Sequence, residues 1–156
     1  MADTSYLTHT VEPFIVNWVS QKLGVPLAPA RVVVGQTMDG RPTPFAFDGV
    51  SPDSTIGILA STSYTVKPGG TRKLYMDASV LNRAPFRRRI MVFVTADVRQ
   101  NFINRCDGLV DLAGIEMLVC DALSPEMIAR IAVVQSDSKA EVGDKGKVWK
   151  VGNPRR

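Results

Sequence analysis

Residues 89–95 read RIMVFVT, five consecutive apolar side chains between a charge and a threonine. A strand with one wet face alternates apolar and polar residues; an unbroken apolar run marks a strand covered on both faces. Such a strand needs helices on each side of its sheet, which directs the chain toward an α/β layer structure.

The flanking segments fit that frame. In HTVEPFIVNWVSQKLG, Val11, Phe14, Ile15, Trp18 and Val19 recur at helical spacing, with Thr10 as the expected cap and Gly24 as the stop. VPLAPA breaks the helical pattern, and the β-branched residues 31–37 predict a strand. Asp39-Gly40 is a hairpin signal. Residues 43–50 and 54–61 predict the second and third strands around Ser-Pro-Asp, with Asp53 a turn residue. Helices are predicted over 71–83 and 96–106, the latter with Val98, Phe102 and Cys106 inward. A short buried strand is expected within 114–122, and a last helix after Ser124, its predicted cap, and Pro125. Helix, three strands, helix, strand, helix, strand, helix implies a mixed sheet flanked by helices.

Charge divides the chain unevenly. From Lys139 onward stand six basic and two acidic residues, which carry the whole net charge of +4, while the remainder balances 13 against 13. We therefore read 1–136 as a single α/β domain and 137–156 as a basic tail, expected to be loosely held and able to contact nucleic acid without sequence choice. No apolar run is long enough to cross a membrane, and no signal-peptide pattern opens the chain, so a soluble, cytoplasmic protein is expected. Cys106 and Cys120 lack histidine partners and read as buried thiols, and the single His9 as a surface residue. With one histidine, a Ser-His-Asp arrangement has little support.

The stretch FDGVSPDSTIGILAS, Phe47 to Ser61, carries an acid on the first strand of a hairpin, a Ser-Pro-Asp turn and a glycine on the second strand. With the order α-β-β-β-α-β, it resembles the PD-(D/E)xK nuclease superfamily, the restriction-endonuclease-like fold, over about the first two thirds of the chain. The resemblance implies phosphodiester hydrolysis with Mg²⁺ held by carboxylates and a lysine near the phosphate. Asp48 matches the first acid of that pattern and is the candidate metal ligand. Ile58 and Ala60 stand where the second acid and the lysine belong. Strict alternation would place Ala46, Val50, Ile56, Ile58 and Ala60 around Asp48 on one apolar face. The usual site is then missing. A displaced one would draw on Glu12 of the first helix and on Lys73 and Asp77 of the helix after the hairpin. Each has a plainer account: Glu12 suits a helix start, and Lys73 and Asp77 are spaced to pair with each other.

Arg72, Arg83, Arg87, Arg88 and Arg89 form the densest basic cluster of the body, and Lys145, Lys147 and Lys150 that of the tail. All are candidate phosphate contacts, although a turn before a buried strand is also charged simply because it is exposed. Tyr64 is suited either to stacking on a base or to packing. Three functions stay open. The first, which the missing second acid and lysine favour over the two alternatives, is a non-catalytic restriction-endonuclease-like binding or assembly module, with DNA or RNA among its partners and no cofactor. The second is a Mg²⁺-dependent nuclease with a displaced site. The third is a protein-interaction domain with a protein partner and no nucleic-acid role. A homodimer is compatible with all three, and none involves a membrane.

Overall fold

A computed structural model describes residues 4–66 and 68–136. Lys145, Lys147 and Lys150, like the rest of the tail, lie outside them. The chain is α/β: a five-stranded mixed sheet with four helices. A π-helical turn, Leu7–Val11, leads into α1, Glu12–Leu23. Then follow β1 (Ala28–Gln36), β2 (Pro42–Val50), β3 (Ile56–Ala60), α2 (Pro68–Arg83), β4 (Arg88–Phe93), α3 (Ala96–Cys106) and β5 (Ile115–Val119). A last helix, α4, spans 125–136, its first turn held by the Ser124 hydroxyl accepting from the Met127 N–H at 3.1 Å.

The strands lie in sequence order, β1-β2-β3-β4-β5. β1, β2 and β3 form an antiparallel meander, and β4 and β5 add in parallel to β3 through α2 and α3. Consecutive parallel neighbours need such crossovers. Two cores result. Ile56, Ile58, Ala60, Ile90 and Val92 pack with Val11, Ile15, Val19 and Ile131, on the side of α1 and α4. Leu59, Met91 and Phe93 pack with Leu74, Leu81, Val98 and Phe102, on the side of α2 and α3. The apolar run of 89–95 is thus covered on both faces, as its composition requires.

Local departures from the sequence reading have physical causes. The first helix begins before Thr10, so Thr10 is not its cap; the Glu12 N–H bonds to the Leu7 carbonyl in a wide π turn. Pro13, which lacks an N–H, sits where that turn hands over to α-helix. β1 reaches back into VPLAPA because it is an edge strand, where Pro29 removes no ladder bond the sheet requires. α2 starts earlier than the predicted 71–83 and takes in Gly69 and Gly70. The hairpin and helix-stop signals hold: Gly40 and Gly24 have φ of 85° and 68°.

A bulge breaks the register of β2. Ala28 pairs with Val50 and Ala30 with Phe47, so two steps on β1 span three on β2. Val50 therefore packs in the α2 and α3 core, opposite Ile56, Ile58 and Ala60. The single apolar face expected around Asp48 does not exist, because strict alternation fails within the residues that carry the acid.

Candidate acidic site

β2 and β3 pair only through Gly49 with Ile58 and Val50 with Gly57. Beyond that point they part, and Asp48 occupies the fork. Its Oδ2 accepts from the Ala60 N–H at 2.8 Å, taking up a donor that no strand partner uses. Bulges beside a fork re-aim side chains in this way. Ala60 thus meets Asp48 through its backbone, while its methyl group is buried with Ile58 in the α1 core.

The fork opens into a cavity of about 330 Å³ bounded by α1, α2 and the loop after β3. Glu12, Asp48, Asp77 and Lys73 all line it, with Ser61, Thr62 and Ser63 from the loop. The four charged residues that the sequence assigns to a displaced site, drawn from α1, β2 and α2, therefore share one space. A second cavity of about 340 Å³, more apolar, lies against Val16, Leu27 and Pro29. Glu12 and Asp48 line this one too, so they form the wall between the two.

The electrostatics follow from that crowding. Burial pushes Glu12 up to about 7, and the negative charges of Asp48 and Asp77 add to the push while Lys73 partly offsets it. Asp48 is raised by burial, opposed by the Ala60 N–H and by Lys73. Asp77, only 3% exposed, is raised by burial against the opposing pull of Lys73. The Lys73 ammonium holds Asp77 at 2.8 Å, the pairing their spacing allows, and its side chain stays 65% exposed. Asp53 contrasts with all three. It accepts from the Ser51 and Thr55 hydroxyls and from the Thr55 N–H, all within its own turn, and its carboxyl lies below the usual range.

Among the described residues, no three His, Cys, Asp or Glu side chains converge closely enough to hold a metal ion by themselves. Mg²⁺ does not require that. It keeps several waters and is commonly bound through one or two carboxylates together with substrate phosphates. Glu12 and Asp48 fit that demand: hard oxygen donors at a shared cavity wall, whose mutual repulsion a cation would relieve. Asp77 is already engaged by Lys73.

The arginines lie elsewhere. Arg88 and Arg89 begin β4 beside Ile56 and Gly57, at the opposite end of β3 from Ala60, about 13 Å along the strand. Arg88 holds Glu116 through two hydrogen bonds of 2.9 and 2.8 Å, and Arg89 donates to the Ala84 carbonyl at 3.1 Å. Arg87 and Arg83 are exposed near them, at the end of α2. Of this group only Arg72, exposed in the first turns of α2 next to Lys73, stands at the acidic end.

One contact near the cavity had no signal in the sequence. The Gln135 side chain of α4 accepts from the N–H groups of Tyr64 and Thr65 at 2.6 and 2.9 Å and donates to the Thr65 carbonyl at 2.7 Å. It pins the loop after β3 as a strand partner would, across about 70 residues of sequence. Cys106 and Cys120 are free and buried, and His9 is exposed. No helix among the described residues is long and apolar enough to cross a membrane.

Set against known proteins, the chain matches no family model, no curated protein and no solved structure.

Proposed function

We propose that this chain is a restriction-endonuclease-like domain that binds Mg²⁺ at the fork between β2 and β3 and hydrolyses phosphodiester bonds in nucleic acid. One observation carries the reading: Glu12, Asp48, Asp77 and Lys73, from three separate elements, line a single cavity. The αβββαβ order and the mixed sheet are compatible with that fold. Glu12 and Asp48 would hold the cation, which would supply charge neutralisation at the phosphate. Lys73 stands beside them with a largely exposed ammonium, able to turn from Asp77 to a phosphate oxygen. Asp77 keeps that ammonium at the cavity until substrate arrives. Ser61, Thr62 and Ser63 add hydroxyls along the same wall.

A calorimetric titration with Mg²⁺ and Mn²⁺ tests the reading. Binding in the millimolar range or tighter, lost in Asp48→Ala and followed by metal-dependent cleavage of single- or double-stranded substrate, is the expected result. Absence of metal binding at pH 8, where Glu12 is ionised, would sink it.

The second reading is the non-catalytic binding module. It draws on Ile58 and Ala60, both buried in the apolar core where that superfamily places an acid and a lysine. Under it, nucleic acid binds with a steep salt dependence and no cleavage follows.

A further inference from the structure

Beyond the acidic cavity, the loop after β3 builds a second lined space. Tyr64, Thr65 and Val66 on one side and Thr95, Asp97, Val98 and Asn101 on the other enclose about 340 Å³. The two spaces are linked along the loop. Thr62 and Ser63 line the acidic cavity, Tyr64 and Thr65 the new one, and a third cavity touches Thr62, Ser63 and Thr65 together.

Three features define what this space suits. Tyr64 is 37% exposed, on a loop whose backbone Gln135 holds by three hydrogen bonds. A pinned aromatic is a stacking platform with little ordering cost left to meet. Among the described residues the Asn101 Oδ1 is buried without a hydrogen-bond partner, which calls for an explanation. Asn101 lines the cavity, and a turn of its amide about χ2 exchanges which end, oxygen or N–H₂, faces it. Finally, the described residues of the lining contain a carboxylate, Asp97, and no lysine or arginine. Asp97 occupies the first turn of α3, the helix end that would otherwise suit a phosphate. A flat neutral group that donates N–H bonds to Asn101 and Asp97 would be welcomed.

We infer that this cavity is a nucleobase pocket that stacks one base on Tyr64 and selects amino-bearing bases through Asn101 and Asp97, next to the site of backbone chemistry. It rests on the nucleic-acid part of the function proposed above, but not on metal binding or cleavage. Thymine and uracil, which lack an exocyclic amino group, are the disfavoured bases.

The test is equilibrium binding of short labelled single strands, made without divalent metal in EDTA, so that failure of the metal site leaves it unaffected. Homopolymers of deoxyadenosine, deoxycytidine and thymidine are compared with an abasic strand of the same length. Deoxyadenosine and deoxycytidine strands should bind more tightly than thymidine, and the abasic strand least. Tyr64→Ala should weaken the base-bearing strands by about tenfold, the loss of one stacked base, toward the abasic level. Asn101→Ala should erase the preference over thymidine and leave the abasic strand unaffected. Both variants are compared with wild type at matched thermal stability. An abasic strand that binds as tightly as the others overturns the pocket, as does a Tyr64→Ala protein that binds like wild type or a failure of every strand to bind. Equal affinity for thymidine overturns the selection of amino-bearing bases.

Discussion

The two ends of β3 treat charge in opposite ways. At its N-terminal end, arginines crowd in sequence but are engaged in space: Arg88 by Glu116, and Arg89 through one N–H to a backbone carbonyl, its buried Nε lacking a partner among the described residues. At its C-terminal end, Glu12, Asp48 and Asp77 come from distant parts of the sequence, and among the described residues one lysine, Lys73, offsets all three. Clusters visible in a sequence are often held by structural partners, whereas groups that meet only through the fold can be left in electrostatic conflict. Conflict of the second kind is what a ligand resolves, and perturbed carboxyls concentrate at functional sites for that reason. The contrast directs attention away from RRR and toward the fork.

The largest expected effect breaks the arginine end by sterics alone. A Cβ on Gly57 would lie 2.0 Å from the Phe86 ring, which is 2% exposed and packed edge-on against Phe47. β3 is paired on both sides and cannot move away. Gly57→Ala should cost about 3 kcal/mol, at the upper end for overpacking, measured by urea unfolding. A loss under about 1 kcal/mol would mean that β3 is looser than its two partners imply.

Next comes the lysine at the acidic end. Lys73→Ala leaves Asp77 buried without the ammonium that pairs it. Since the lysine is mostly exposed and its pull is screened by solvent, we expect a loss of about 1–2 kcal/mol at pH 8, well short of a fully buried pair. At pH 4 the loss should shrink, because Asp77, raised by burial, takes up a proton. A loss independent of pH would assign the lysine to packing.

Glu12→Gln acts in the other direction. The carboxyl is held at about 7 in the fold against an ordinary 4.5, so the folded state holds the extra proton between those values. Stability arising from that protonated form is complete below about 4.5 and declines as pH rises through 7. The glutamine variant should melt a few degrees above wild type at pH 8 and level with it at pH 4, while binding Mg²⁺ more weakly. Wild-type metal affinity should itself fall as pH drops below about 7, since the cation must displace a proton. Equal melting curves at pH 8 would remove the conflict on which the comparison of the two ends rests.

Much of the frame was legible because its signals are local. The run at 89–95, the amphipathic pattern of 96–106 and the Asp39-Gly40 turn each state their structure within a few residues. The α/β class and the mixed sheet followed from their order. The strand boundaries at Ala28 and Pro42 were not: β1 is an edge strand and Pro42 is the first residue of β2, two places where proline costs the sheet no ladder bond. The members of the acidic cavity were named through a resemblance, but their arrangement was not. A bulge adds one residue to a strand and leaves no mark in composition, so the alternation that should have put Val50 beside Asp48 failed. The Gln135 clamp was out of reach for another reason: glutamine on an exposed helix face carries no pattern, and its partners are backbone groups.

The smallest effect sharpens the comparison most. Arg88 and Glu116 form two close hydrogen bonds, and each side chain is more than 40% exposed. The pair raises Arg88 and lowers Glu116, as mutual attraction should. An exposed pair of this kind is worth well under about 1 kcal/mol once solvent screening and side-chain entropy are counted. Arg88→Ala should therefore change stability by less than about 0.5 kcal/mol and leave Mg²⁺ affinity untouched. It also tests the arginine as a phosphate contact. If Arg88→Ala lowers nucleic-acid affinity and flattens its salt dependence by about one unit of slope, the arginine gives up Glu116 to reach phosphate. Unchanged binding would mean that nucleic acid is gripped at the acidic end alone, through Lys73, Arg72 and a metal ion, with the arginines serving the fold.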